Sequence, residues 1–241
     1  MATPRPVRAR CDETHRPRTG AHAYSRYVTF LRNALSTAVV LAAATTVVAP
    51  APATAGGITL PVQCEVGTET VLPWDDVAYD LRGTCGVVRL SGDRTTVTMP
   101  SATRLVIEGA GNTVTAKPVY DVEVVGADNS LTTPSLTSLV LTGTGSTVAV
   151  SGLVERAELL GAGSSLSADT INVLRLRGTD TVTARKAYRT RIIGSDNSLV
   201  LARADRLVLT GDRNSVTVAR GRTTLRDRGD ANVLDLRPRR R

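Results

Sequence analysis

Nine glycines recur along this chain at near-constant intervals: Gly92, Gly109, Gly126, Gly143, Gly161, Gly178, Gly194, Gly211 and Gly229. The steps between them are 17, 17, 17, 18, 17, 16, 17 and 18 residues. After each glycine come turn-forming positions, then Asn or a small polar residue, then a strand-like alternation. A period this short and regular, with two-residue alternation inside it, is the signature of a β-solenoid, in which each repeat is one coil stacked on the next.

Residues 109–125 show how one coil reads. Gly109-Ala110-Gly111-Asn112 is a turn, with residue types that tolerate positive φ. Thr113 to Ala116 is a strand, Lys117-Pro118 breaks it, Val119 marks a middle segment, and Asp121 to Val125 is a second strand. Alternation puts Val114 and Ala116 on one face, and likewise Val122 and Val124. The same slots stay apolar up the stack. The Val114 slot runs Val97, Val114, Leu131, Val148, Leu166, Val182, Leu199, Val216, Leu234. The Val124 slot runs Ile107, Val124, Leu141, Leu159, Leu176, Ile192, Leu209, and the Val122 slot is similar with Thr190 as its polar member. The Val119 slot runs Ala102, Val119, Leu136, Leu153, Ile171, Ala187, Ala204. The longer coils are expected to place their extra residue near Arg156 and near Thr224. A single coil cannot stand alone. Its few inward side chains contribute about 1.5–3 kcal/mol each, against roughly 1–2 kcal/mol to fix each backbone residue. Only stacking reverses that sum.

The polar slot beside each turn reads Thr95, Asn112, Asn129, Ser146, Ser164, a gap in the 16-residue coil, then Asn197, Asn214 and Asn232. These asparagines are read as a structural ladder bonded amide to amide along the axis.

The first 55 residues have a different character. A basic region with Arg26 and Arg32 precedes an apolar run, Ala34 to Val48, and small residues end at Ala53-Thr54-Ala55. This order is a secretory signal peptide, cleaved after Ala55. The run is too short for the ~20 residues of a spanning helix, so stable membrane insertion of the mature chain is not expected. The leader holds seven of the 30 basic residues and two of the 22 acidic ones, which leaves 23 and 20, a net +3. Four of those positives, Arg237, Arg239, Arg240 and Arg241, sit in the tail. The folded part is near neutral, so the basic whole-chain balance does not argue for nucleic acid.

Both histidines, His15 and His22, lie in the leader. The mature chain therefore has no Ser-His-Asp or Cys-His catalysis and no His-ligated metal. Neither a metal nor any other cofactor is expected. Cys64 and Cys85 remain, and two cysteines in an exported chain are expected to pair. Residues 56–86 are non-repetitive and hold Cys64, Cys85, Trp74 and Tyr79. They read as an N-terminal cap. The chain is then all-β: a parallel β-helix of about nine 17-residue coils over 87–236, a disulfide-linked cap before it, and a basic tail, 237–241. A right-handed helix is expected from the handedness of parallel crossovers.

The phrase G-x-x-N-[ST]-[VL] appears in Gly109-Ala110-Gly111-Asn112-Thr113-Val114 and in Gly211-Asp212-Arg213-Asn214-Ser215-Val216. It resembles the repeats of exported actinobacterial proteins grouped as a domain of unknown function. The resemblance covers about residues 87–236. It implies a fold and carries over no catalytic residues. More broadly the coil resembles parallel β-helices, which include pectin-lyase-like enzymes, adhesins and insect antifreeze proteins.

Three surface features are candidates for function. The outward slots beside Val114 make a nearly uncharged strip of hydroxyls and methyls: Thr96, Thr98, Thr113, Thr115, Ser130, Thr132, Thr147, Ser165, Ser167, Thr181, Thr183, Ser198, Ser215 and Thr217, interrupted by Ala149 and Val200. The Thr-x-Thr array resembles the ice face of insect antifreeze proteins. Exposed strands favour Thr for their own reasons, so a flat strip meeting glycan or a partner protein is the stronger reading. A second strip aligns Glu158, Arg175 and Arg191. A third, a turn ladder of Asp180, Asp196 and Arg213, is the most enzyme-like constellation, since paired carboxylates can divide acid and base roles. The expectation from sequence is an exported, non-catalytic solenoid, secreted or envelope-associated, with cell-wall glycan or an envelope protein as partner. A polysaccharide lyase or hydrolase is the alternative, and ice binding a minor one.

Overall fold

The computed structural model describes residues 58–237. The leader assigned to 1–55, with its cleavage site, and the tail residues 238–241 lie outside the described residues. Every strand pairing in the described part is parallel, and all strands belong to one sheet wound on itself. Among the described residues there is no helix, and so none long and apolar enough to cross a membrane.

Two stacks of strands make the solenoid. The first joins β1 (Thr59–Cys64), β3 (Ala78–Gly83), β5 (Thr96–Met99), β7 (Thr113–Ala116) and β9 (Ser130–Thr133). The second joins β2 (Glu69–Leu72), β4 (Cys85–Leu90), β6 (Ala102–Ile107), β8 (Val119–Val124) and β10 (Leu136–Leu141). In β11 (Thr147–Leu159), β12 (Ala162–Leu176), β13 (Thr179–Ile192) and β14 (Ser198–Leu209) one long strand serves both stacks. Then β15 (Ser215–Val218) and β17 (Val233–Leu236) end the first stack, and β16 (Thr224–Asp227) ends the second. The stacks make about ten turns. At about 4.8 Å per rung the rod is roughly 50 Å long.

The interior is the dry aliphatic column that the alternation predicts. Val97, Val114, Leu131, Val148, Leu166, Val182, Leu199 and Val216 are Cα partners on successive rungs and are all buried. The Val124 slot is buried from Ile107 to Leu209. Thr190 sits in the Val122 slot between Leu174 and Leu207, and its hydroxyl has no hydrogen-bond partner.

The structure corrects four expectations. The segment 56–86, read as a non-repetitive cap, supplies the first two coils from residue 59 onward: β1 pairs with β3, β3 with β5, β2 with β4 and β4 with β6. Tyr79 occupies the Val97 slot. Trp74 takes the place of the turn glycine, because a Cβ on Gly92 would overlap the Trp74 carbonyl oxygen. The solenoid has already begun, but its first turn is written without the glycine.

In the second correction, the inward residue after Leu136 is Val154, not Leu153. Val154 is fully buried, and Leu153 is 38% exposed. Third, the extra residue of that coil therefore lies between Val150 and Leu153, ahead of Arg156, where the register shifts. The other extra residue falls between Val218 and Thr224, near the expected place. Fourth, the polar slot has no gap at the 16-residue coil. The deletion lies between Thr179 and Thr181, opposite Ala162 to Ser165 of the coil before, and Asp180 stands in the slot.

The Cys64–Cys85 disulfide joins the end of β1 to the start of β4, with the Cα atoms 4.8 Å apart. It staples the first coil to the second. Both cysteines are buried.

Candidate functional site

From Gly92 to Gly229 each coil turns through a glycine whose neighbour in the stack leaves no room for a side chain. A Cβ on Gly126 would overlap the carbonyl of Gly109, and one on Gly143 the carbonyl of Gly126. Close backbone approach, rather than positive φ, explains this column. The left-handed position is the third residue of the turn, filled by Gly111, Asp128, Gly145, Gly163, Asp196 and Arg213 in turn. Its N–H donates to the second-position carbonyl of the next coil, as Gly111 does to Ala127 and Asp128 to Thr144.

The polar slot forms an unbroken ladder. Backbone N–H groups donate to the side-chain oxygen of the next coil: Thr95 to Asn112 at 2.8 Å, Asn112 to Asn129 at 2.9 Å, Asn129 to Ser146 at 3.1 Å. It continues through Ser146, Ser164, Asp180, Asn197 and Asn214 to Asn232. The ladder differs from a stack of amides. Most rungs join backbone to side chain, and only Asn197 to Asn214 and Asn214 to Asn232 bond amide to amide. Several members also donate back to a turn-glycine carbonyl, as Asn129 does to Gly109 and Asn232 to Gly211. A second ladder at the next turn position escaped sequence reading: the Asp75 carboxylate accepts from the Asp93 N–H, Asp93 from Ala110, and Asp212 from Asp230. Its signal was the Gly-Asp pair in the turns of Gly92 and Gly211.

Against this frame the candidate catalytic trio separates. Asp180 points inward and is buried. One carboxylate oxygen accepts the Ser164 N–H at 3.0 Å, and the other has no partner. Burial pushes its pKa up, and the Ser164 hydrogen bond opposes that only in part. Asp196 lies on the left-handed turn position and faces solvent, where Arg213 grips it with two bonds at 2.8 and 2.7 Å. That guanidinium holds the Asp196 carboxyl below its ordinary range. Asp180 therefore stands in the slot of Asn197, not in that of Asp196. The missing turn residue of the 16-residue coil is the left-handed one, which is why counting from Gly178 aligned Asp180 with the wrong column. The two carboxylates stand in different columns, one buried in the ladder and one gripped by Arg213. Among the described residues no group of three or more His, Cys, Asp or Glu side chains is placed to hold a metal ion.

The hydroxyl strip is brought together. Thr96, Thr113, Ser130, Thr147, Ser165, Thr181, Ser198 and Ser215 are register partners on successive rungs, and so are Thr98, Thr115, Thr132, Ala149, Ser167, Thr183, Val200 and Thr217. Nearly all of them face solvent. At its ends the strip gives way to ion pairs, Asp80 with Arg82 and Asp235 with Arg237.

The charged strip is broader than sequence reading drew it. Inward alternation slips at Tyr120–Asp121, where two consecutive residues face outward, so the chain turns a corner there. Beyond that corner lies a separate side. Its N-terminal rungs carry Glu69, Arg89, Arg104, Glu108 and Glu123, all engaged in ion pairs: Arg89 with Glu69 and Glu108, Arg104 with Glu123. Its C-terminal rungs carry Arg156, Arg175 and Arg177, then Arg189 and Arg191, then Arg206, then Arg226 and Arg228. All are exposed. Glu158 is the acid among them, and it pairs with Arg177 at 3.4 Å.

Comparison with known proteins adds one family likeness. A family described as a protein of unknown function (DUF3060) matches residues 77–118. That stretch runs from the first turn of the solenoid through β7. No curated protein and no solved structure matches the chain.

Proposed function

We propose that this protein is an exported, non-catalytic solenoid that holds a rigid lateral surface against a glycan or a protein of the cell envelope or the extracellular space. The observation that carries the reading is the hydroxyl strip. Two parallel ladders stand in register on eight successive rungs, almost free of charge, one wholly Thr and Ser and the other Thr and Ser broken by Ala149 and Val200. The stacked coils fix their backbone, so ordering the strip costs a partner little conformational entropy. Hydroxyls that donate and accept suit sugar hydroxyls. The buried Cys64–Cys85 disulfide supports an oxidising compartment.

The lyase or hydrolase reading has no geometry in its favour, since Asp180 is committed to the turn ladder and Asp196 to Arg213. A glycan array and a set of cell-envelope fractions, probed with the protein, test the proposal. Retention on a glycan or a fraction is expected, with loss on Thr115→Lys and Thr132→Lys, which place bulky charge in the strip centre. If nothing in either panel retains the protein, the reading fails. Thermal hysteresis at micromolar protein would replace it with ice binding.

A further inference from the structure

We propose that the C-terminal half of the charged side binds a linear acidic polysaccharide laid along the solenoid axis, with its anionic groups seated between arginines of neighbouring rungs. The proposal concerns a different side from the hydroxyl strip and does not rest on it.

The molecule carries its own comparison. The same outward slots, on the same sheet and at the same spacing, are treated in two ways. From β2 to β8 each arginine on this side has a carboxylate within ion-pair distance. From β11 to β16 the slots of Asp121, Glu123 and Val125 hold no acid apart from Glu158, which Arg177 takes, and the exposed Glu155 and Asp205 stand one residue before Arg156 and Arg206, at the corner that borders the strip. Arg175 and Arg191 are direct register partners, and so are Arg189 and Arg206. Like charges placed directly opposite across a ladder are destabilising. Among the described residues none of these four has an acid partner. A fold that neutralises its arginines in one half and stacks them unpaired in the other leaves the counter-charge to a ligand.

Geometry narrows the class of ligand. The unpaired arginines run up a strip only a few residues wide, one rung about every 4.8 Å. A one-dimensional row of cations matches a one-dimensional row of anions. Extended polysaccharide repeats its sugars on a comparable length. Guanidinium groups take carboxylate or sulfate in a bidentate fork. The side is less suited to nucleic acid. Val173, Val208 and Thr210 lie between the arginines, and no aromatic ring does. Single-strand readers use aromatic side chains as stacking platforms. An anionic membrane is a plane rather than a line, and interfacial binding wants a broad apolar face beside the cations.

Polygalacturonate, with one carboxylate per sugar, is the probe. The full chain is titrated by affinity electrophoresis and fluorescence, at low and at moderate salt, together with the variant Arg175→Gln/Arg191→Gln/Arg206→Gln. The variant Arg89→Gln/Arg104→Gln is the control on the same side. The arginines of the leader and the tail are common to all three proteins, so they cancel. Thermal melts confirm that each protein is folded. Binding that weakens with salt is expected. An arginine beside an anionic surface contributes about a factor of five, so the triple variant should bind roughly a hundredfold more weakly. The control should stay within about twofold. No binding at low salt, or equal binding by the folded triple variant, overturns the proposal. So does tighter, arginine-dependent binding of single-stranded DNA or of phosphatidylglycerol vesicles, since either names another class of partner. Neutral glycans, included in the same titrations, separate the two readings. Their retention by the triple variant leaves the hydroxyl strip standing whatever the arginines do.

Discussion

Asp180 is the residue whose chemistry departs furthest from its neighbours. Its slot otherwise holds Asn, Ser or Thr from Thr95 onward, groups that serve the ladder without charge, although the Asn112 amide nitrogen also lacks a partner. Asp180 supplies the acceptor but has no amide to donate back to a turn carbonyl, and one of its oxygens is orphaned. Asp180→Asn should therefore stabilise the protein at neutral pH, by about 1–3 kcal/mol, the cost of a buried group without its partner. The pH dependence has a definite sign. Burial raises the folded-state pKa above the unfolded value near 3.9. The folded state then holds the proton more tightly, so stability falls as pH rises from the unfolded pKa through the folded one. The advantage of Asp180→Asn should be largest at pH 7 and shrink as pH falls toward roughly 4. Denaturant melts of both proteins at a series of pH values check this. An Asn variant less stable at pH 7 would contradict the account.

At the scale of the element, the coil is held by two things that pull in different directions. Aliphatic ladders tolerate exchange: Val, Leu and Ile alternate in the Val114 and Val124 slots without changing the register. The turn glycine tolerates nothing, because backbone meets backbone there. Gly126→Ala would drive a Cβ into the Gly109 carbonyl and force two rungs apart. A loss of at least about 1–3 kcal/mol is expected, the range for overpacking a close contact. The same change at Gly221, whose Cβ would meet nothing within 4 Å, tests the other cause, since its φ is +114°. A lower Tm for Gly126→Ala than for the wild type is the check. Insertions and deletions follow the same logic. They sit at corners, between Val150 and Leu153 and between Thr179 and Thr181, where one residue more or less leaves the strands on either side in register.

At the scale of the molecule, each coil depends on its neighbours and the ends are the weak points. The Cys64–Cys85 staple ties the first coil to the second and closes a loop of 21 residues. Reducing it should cost about 3 kcal/mol on the chain-entropy estimate. The loss should appear first as faster hydrogen exchange in β1 and β2, ahead of any change in β7 to β14. A uniform loss of protection along the rod would show that the coils melt as one unit. The other end fades differently. Asp227 stands in the slot of Leu209 and is exposed, accepting bonds from Gly229 and Asn232 instead of packing. Charge and side-chain capping there blunt the edge that the last rung leaves.

The parallel solenoid and its aliphatic column were legible in the sequence because both are periodic, and a period survives translation from chain to coil. The hydroxyl strip followed for the same reason. What broke the period was misread. The turn between the first two coils carries Trp74 in place of the glycine, which concealed their start. Leu153 looked inward because counting cannot tell on which side of it a bulge falls. Asp180 was assigned to the wrong column because a deletion shifts every slot after it until the strand pairing restores them. Glu158, Arg175 and Arg191 fell into line by the period alone and are register partners, whereas the neighbouring column of Arg189 and Arg206 has no counterpart in the repeat phrase. Only the pairing of strands, set by backbone hydrogen bonds between coils, decided which side chains meet.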